Sequence, residues 1–468
     1  MLSAKLLLDT LSEYALISQL IRATTPEEVC RAAGEILQRP VEPSPGLFDL
    51  FLRIDEYDGV YNRLPALRRD AFVNFVRFLL IPFEDFRRGA AVRADGECAF
   101  ADAGVKRKKP KRACAMAPYE RPWSNVELIK DCGLIPYLLY KNHGMECTMV
   151  GAPGGPYPYE TLVEGLQFRF LPDGSIDTKK QFILEQGKEI DLLLLRGCYS
   201  SCYALAPLYK QVNPGGRIYI GLDANSRWMD QFLFFDPGFS AFLDACDIIA
   251  TSCSAMASHL SKKWGRNILC LPNGYHSFFE EQKLPFREKK NVILTVGRLG
   301  TWQKATEILV MAFGAAGEYL KGWELRLVGG MEEEFRVWME EFFRENPEFR
   351  DRIRLTGEIK DREELHREFL EAKIFALPSR LEGGAPNVIA EALNAGCAVA
   401  CTRIDAWEDI INGGKCGMAS DIDDVGGLAV SLTRLAASDL EKYSEEALRH
   451  GESFYSMDKQ VEKLYELL

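Results

Sequence analysis

The sequence predicts an α/β protein with two doubly wound parallel sheets in series, a cleft between their strand ends, and a small helical domain in front. Three observations predict it. From about Ala113, short apolar runs alternate with helical segments. Strands apolar on both faces and separated by helices mean a parallel sheet covered on both sides. After the polar stretch HSFFEEQKLPFREKK the alternation begins a second time. Residues 1 to about 100, in contrast, place apolar residues at i, i+3, i+4 and show no strand alternation.

The elements justify this in order. In residues 1–104, PEEVCRAAGEILQR and AFVNFVRFLLIPFEDFRR carry the helical period. The N-terminal stretch holds Asp9 and Glu13 inside its apolar region, which suits an amphipathic helix better than a signal peptide. Residues 105–112 form a basic linker in which six of the seven residues from Lys106 to Arg112 are Lys or Arg. Two readings stand for it: a solvated linker, or an electrostatic foothold for an anionic membrane surface or acceptor. Residues 113–275 give the first α/β unit, with ECTMVG, EIDLLLLRG, GRIYIGLD, CDIIATS and NILCLPNG as strands. Residues 276–289 are a polar linker. Residues 290–451 give the second unit, with NVILTVGRL, WELRLVGG, RIRLTGEI, KIFALPS and CAVACT as strands.

Composition narrows the function. A chain of 468 residues exceeds one ordinary domain, and 47% hydrophobic with 27% charged residues suits a well-packed protein. A net charge of −11 argues against a nucleic-acid partner, which needs a basic face. No apolar run reaches the length of a membrane span. Thirteen cysteines, an odd number in apolar contexts, read as reduced core thiols and a cytoplasmic chain, with the inner face of the membrane as the alternative station. Cys198/Cys202 and Cys397/Cys401 lack metal-site spacing and nearby His partners, so no metal is expected.

The chemistry concentrates in LEGGAPNVIAEALNAG. A helix starting near Pro386 or Asn387 has glycines before it, so an anion can approach its exposed N–H groups. In VGRLGTWQKATEIL a strand ends beside Arg298, and Lys304 follows at a helix start. Two cations and a helix N-terminus at one cleft suit a diphosphate, with Glu382 and Glu391 falling at its sugar and ribose ends.

Together with LPNGYHSFF, LRLVGG and RIRLTGEIKDREELHREFLEAKIFALPSRLEGGAPNVIAEALNAGCAVACT, these motifs resemble glycosyltransferase family four on the GT-B fold, two Rossmann-like domains facing a cleft. The resemblance covers about residues 113–468 and is strongest in 270–420. It implies that the last helix, within 452–468, returns to the first unit. It implies a retaining hexosyl transfer from a nucleotide-diphosphate sugar, a UDP- or GDP-sugar, to a saccharide, lipid-linked or protein acceptor, with no cofactor required. Arg298 and Lys304 would hold the donor diphosphate, and Glu382 would face its sugar. The backbone of Gly383, Gly384, Asn387 and Val388 would cradle phosphate or sugar, Glu391 would bind the ribose hydroxyls, and Ile359 would lie near the base. The competing readings are an early-helix glutamate complementing the dipole for Glu391 and a surface cation for Arg298. One departure stands out: eight residues separate Glu382 from Glu391 where the family has seven, and the extra one belongs in the glycine loop.

On the acceptor side, Tyr119, Trp123 and Ser124 replace the family's glycine pair; the aromatics either stack on a sugar ring or pack the loop. Asp223 stands where many relatives carry a strand-end histidine, so a His general base is not expected. Asp223 either positions a hydroxyl or satisfies a turn. His143 reads as a packing residue, and Asp421–Asp424 as a helix cap rather than a metal motif. Two other classes stay open, a non-catalytic GT-B scaffolding subunit and a sugar-nucleotide 2-epimerase, the latter disfavoured because the chain has five histidines.

Overall fold

A computed structural model describes residues 109–222, 225–230, 237–278 and 284–468. The expected helical domain 1–104, the first part of the basic linker and Asp223 lie outside the described residues. The first unit runs β1 (Arg112–Met116), α1 (Asp131–His143), β2 (Glu146–Gly151), β3 (Gln167–Phe170), α2 (Ile176–Gln186), β4 (Leu192–Arg196), α3 (Ser200–Val212), β5 (Arg217–Leu222), α4 (Pro237–Ala245), β6 (Ile248–Thr251), α5 (Ser254–Trp264) and β7 (Ile268–Cys270). The second runs β8 (Lys290–Val296), α6 (Thr306–Ala316), β9 (Glu324–Val328), α7 (Glu333–Glu345), β10 (Ile353–Gly357), α8 (Arg362–Glu371), β11 (Ala372–Leu377), α9 (Asn387–Asn394), β12 (Ala398–Thr402), α10 (Trp407–Ile411), β13 (Gly417–Ser420) and α11 (Val425–Ala436). Two helices close the chain, α12 (Leu440–Phe454) and α13 (Met457–Leu467).

Both sheets are parallel. The first has the order β3-β2-β1-β4-β5-β6-β7 and the second β10-β9-β8-β11-β12-β13. The order reverses between β1 and β4 in one and between β8 and β11 in the other. In open α/β sheets ligands bind outside the carboxyl ends of the strands at such reversals. The central strands match the apolar runs of the sequence because they are covered on both faces: β12 is buried along its whole length. Two strands were not legible as such. Edge strand β3, QFRF, is largely exposed, and β13, GMAS, is four small or flexible residues at the other sheet's edge. An edge strand needs no continuous apolar run.

The segment between β1 and β2 is helical in two pieces. A 3₁₀ turn spans Asn125–Ile129, α1 begins at Asp131, and Gly144 ends it in the left-handed conformation at φ 65°. Acidic and hydroxyl caps start several others. Asp361 accepts from Glu364 N, Asp424 from Gly427 N and Ser456 from Lys459 N, so the Asp421–Asp424 motif is a helix cap as read.

Each sheet has its own core. One packs Ile293, Leu309, Phe313, Leu325 and Leu432; the other packs Leu138, Met149, Leu192 and Leu194. Met457, Val461 and Leu464 of α13 join the first sheet's core, so the last helix does return to the first unit. His143 packs there too, stacked on Tyr465 at 3.6 Å between ring centroids. The basic run reaches further into the fold than a linker ending at Arg112 allows. Arg112 opens β1, and Lys109 donates to the Tyr465 carbonyl at 2.7 Å.

The carboxyl ends of the two sheets face each other. Ser252, just past β6, donates to the Gly383 carbonyl at 2.6 Å. Ser226 N and Oγ donate to the Asp405 carboxylate at 2.6 and 2.9 Å, and Ser254 N donates to Asp409 at 2.6 Å. The Tyr159 hydroxyl reaches the Lys360 carbonyl at 2.9 Å.

Candidate functional site

The order reversal between β8 and β11 collects most of the candidate residues. Arg298 stands two residues beyond β8 and is exposed, while Lys304 sits two residues before α6. Glu382 follows β11 in the loop that leads to α9 and is buried, 6% exposed. Its carboxylate accepts from Lys304 Nζ at 2.5 Å, Ser379 Oγ at 2.6 Å and Gln303 Nε2 at 3.3 Å. Gln303 in turn accepts from Arg298 Nη2 at 2.8 Å. Both cations and the carboxylate therefore belong to one hydrogen-bonded cluster.

The glycine loop between Glu382 and α9 is shaped by its neighbours. Gly384 has φ 93°, a backbone conformation that glycine adopts without cost, and a Cβ there would sit 1.9 Å from Ser252 Oγ. The first sheet thus holds the loop at Gly383 and closes against it at Gly384. Helix α9 starts at Asn387, within the expected bounds. Pro386 is the N-cap in extended conformation and provides no capping side chain. Ile389 N donates to the Pro386 carbonyl at 2.9 Å, and with no capping side chain the Asn387 and Val388 N–H groups ahead of it are the ones placed to meet an anion.

Glu391 lies beyond the first turn of α9, which carries no acidic residue, so the dipole-complementing reading of Glu391 does not hold. It is buried at 9% exposure and paired with Arg362, the first residue of α8. Burial pulls the Arg362 pKa down, but the Glu391 charge and hydrogen bond outweigh it and push the value up. Ile359 is half-buried two residues after β10 and next to Lys360, whose carbonyl accepts from the Tyr159 hydroxyl.

Arg380, just past Ser379, braces the cation loop. Its guanidinium donates to the Trp302 carbonyl at 2.8 Å, Glu307 at 2.7 Å and Asp423 at 2.6 Å. Burial lowers its pKa, and these carboxylate bonds overcome that and raise it. Gln303, Ser379, Arg362 and Arg380 carry no motif of their own; the sequence offers no signal for them because each matters through a partner brought in by the fold.

The acceptor-side candidates separate. Tyr119 lies at the other order reversal, between β1 and β4, half-buried, with its hydroxyl 2.8 Å from that of Tyr199. Trp123 is 5% exposed and packs in the first sheet's core with Leu128 and Leu134, so the ring is unavailable for stacking on a sugar and packs the loop instead. Ser124 N-caps the 3₁₀ turn, its N and Oγ donating to Glu127 at 2.6 and 3.0 Å. Those bonds take up its polar atoms locally.

Residues 290–438 match the family model described as Glycosyl transferases group 1. Among solved structures, sucrose-phosphate synthase from Thermosynechococcus elongatus superposes with TM-score 0.57 and 16% identity, covering 76% of this chain and 98% of that one. Anabaena HepE in complex with UDP gives TM-score 0.58 at 13% identity, covering 76% and 98%. A glycosyltransferase from Rickettsia africae ESF-5 gives 0.57 at 15%, covering 76% and 96%. No curated protein matches the chain by sequence.

Proposed function

We propose that the chain, whose residues 290–438 match the Glycosyl transferases group 1 model and whose fold is GT-B, is a retaining hexosyltransferase that uses a nucleotide-diphosphate sugar. The observation that carries the reading is the cluster at the β8/β11 reversal, where Arg298, Lys304 and Glu382 join beside the uncapped start of α9. In the proposed reaction the bond from the sugar's anomeric carbon to the diphosphate oxygen breaks as the acceptor hydroxyl forms its own bond to that carbon. The acceptor's proton passes to the departing phosphate. No strong protein base is required. The demand on the protein is to stabilise the charge growing on the diphosphate, which Arg298, Lys304 and the α9 N-terminus meet.

Lys304 exchanges its Glu382 partner for the diphosphate when the donor enters. Glu382 then turns to a donor-sugar hydroxyl, and the backbone of Gly383, Gly384, Asn387 and Val388 lines the same pocket. Glu391, held by Arg362, takes the ribose hydroxyls, and Ile359 lies against the base. Tyr119 stands on the acceptor side, and Asp223 is assigned to position an acceptor or donor-sugar hydroxyl. A UDP-sugar is the first donor to test, since HepE is a fold relative captured with UDP, and a GDP-sugar is the second. The acceptor is a saccharide, lipid-linked or protein hydroxyl, met in the cytoplasm or at the inner face of a membrane.

A non-catalytic GT-B subunit is the second reading. Glu382 favours it, being nearly buried and already bound by three donors. A thermal-shift panel of UDP, GDP and ADP, on the native chain and on Arg298→Ala, separates the two. A ligand bound only by the native state adds about 2.7 kcal/mol at roughly a hundredfold excess over its dissociation constant. Stabilisation by one diphosphate that disappears in Arg298→Ala supports the donor site; no stabilisation by any of the three moves the assignment to the scaffold.

A further inference from the structure

Gln303 makes as many side-chain hydrogen bonds at the cluster as Glu382 does. It sits in the turn between β8 and α6, and its side chain spans three partners. Oε1 accepts from Arg298 Nη2 at 2.8 Å, while Nε2 donates to the Leu381 carbonyl at 2.9 Å and to Glu382 Oε2 at 3.3 Å. These partners fix the amide's orientation. A flipped amide would set Oε1 against a carbonyl and a carboxylate, and would set its N–H groups against a guanidinium that only donates. The backbone is pinned as well, because the Gln303 carbonyl accepts from Arg380 N at 2.8 Å.

The consequence is geometric. Arg298 is long and exposed, and without a partner its guanidinium samples many rotamers. Glu382 has one carboxylate oxygen on Lys304 and Ser379, and the other faces Gln303. One neutral amide thus aims a cation at one end of the cluster and sets the tilt of a carboxylate at the other. Its neutrality matters: a carboxylate at position 303 would repel Glu382, and a cation would compete with Lys304 for it.

We propose that Gln303 is a positioning residue that couples the diphosphate end of the donor site, through Arg298, to its sugar end, through Glu382. The assignment rests on the donor reading above. The amide does its work by holding Arg298 in a binding-ready rotamer and by keeping Glu382 from rotating as Lys304 leaves it for the diphosphate.

The test is a double-mutant cycle on UDP affinity, read by titration calorimetry, with Gln303→Met and Arg298→Ala singly and together. Met keeps the volume and removes all three hydrogen bonds. Gln303→Met is expected to weaken UDP binding about fivefold to tenfold, the scale of losing one ordinary hydrogen bond. In the Arg298→Ala background the same change is expected to cost less than about twofold, because interacting residues are non-additive. A purely structural role would lower the melting temperature and add in full to Arg298→Ala. Native-like UDP affinity in Gln303→Met, or full additivity, overturns the assignment while leaving the donor reading intact. Failure of the native chain to bind UDP, GDP or ADP overturns both together. If Gln303→Met does not fold, Gln303→Asn replaces it; the shorter amide cannot reach Arg298 and Leu381 at once, and the same contrast applies.

Discussion

At Glu382, Lys304, Ser379 and Gln303 converge on a carboxylate that a local reading assigns to a substrate. A buried charge needs such partners, since removing it from water costs several kcal/mol unless it is paired and hydrogen-bonded. The same loop depends on Gly384. A left-handed backbone costs an L-residue about 1–2 kcal/mol, and a Cβ at 384 also meets Ser252 Oγ at 1.9 Å. Gly384→Ala is therefore expected to lower stability in urea denaturation by at least that backbone cost. Adding Ser252→Gly removes the steric part only, so full recovery in the double variant would refute the backbone contribution.

Among the elements, α8 and α12 are each tied down by a polar side chain in addition to their buried apolar faces. Lys289 is buried and donates from Nζ to the Leu370 and Ala372 carbonyls at 2.8 and 2.9 Å, closing the end of α8 with a cation. Burial lowers its pKa, so the helix-end carbonyls hold a costly charge. Lys289→Met is expected to destabilise by about 1–3 kcal/mol through the carbonyls left unsatisfied, measured by the denaturation midpoint at constant slope.

Helix α12 is docked by His450, whose Nε2–H donates to the Asp409 carbonyl at 2.7 Å. A carbonyl only accepts, which fixes the neutral tautomer. Burial lowers the His450 pKa from 6.5, against the opposing pull of Asp409. The sign follows: as pH falls below 6.5 the unfolded chain takes up the proton first, so stability from this site is complete above 6.5 and declines from there down to the folded value. Melting temperatures between pH 7.5 and 5.5 should fall more steeply in the native chain than in His450→Gln; parallel slopes would exclude the effect.

For the whole molecule, the face-to-face carboxyl ends matter more than either sheet alone. Each sheet has its own core, so the bonds between the sheets couple their unfolding, and the Asp405 and Asp409 carboxylates accept from Ser226 and Ser254 among them. A combined Asp405→Ala and Asp409→Ala variant is expected to split the melting of the two sheets into separate calorimetric transitions. A single sharp transition in that variant would place the coupling elsewhere. The coupling also bears on the proposed chemistry, because the Ser252 bond to Gly383 makes the first sheet part of the loop beside the donor cluster.

The sequence by itself determined the paired parallel sheets, the glycine loop before α9 and the cations after β8. Those features are local: an apolar run, a breaker pattern and a charge at a strand end each report their own burial or exposure. Edge strands β3 and β13 escaped because their burial is partial, and Trp123 was open to two readings until its core contacts were known. Only the tertiary structure decided that Gln303 and Glu382, 79 residues apart, and Arg362 and Glu391, 29 apart, would meet. Pairing at that range is set by the strand order, since β8 and β11 become neighbours only once the sheet has formed.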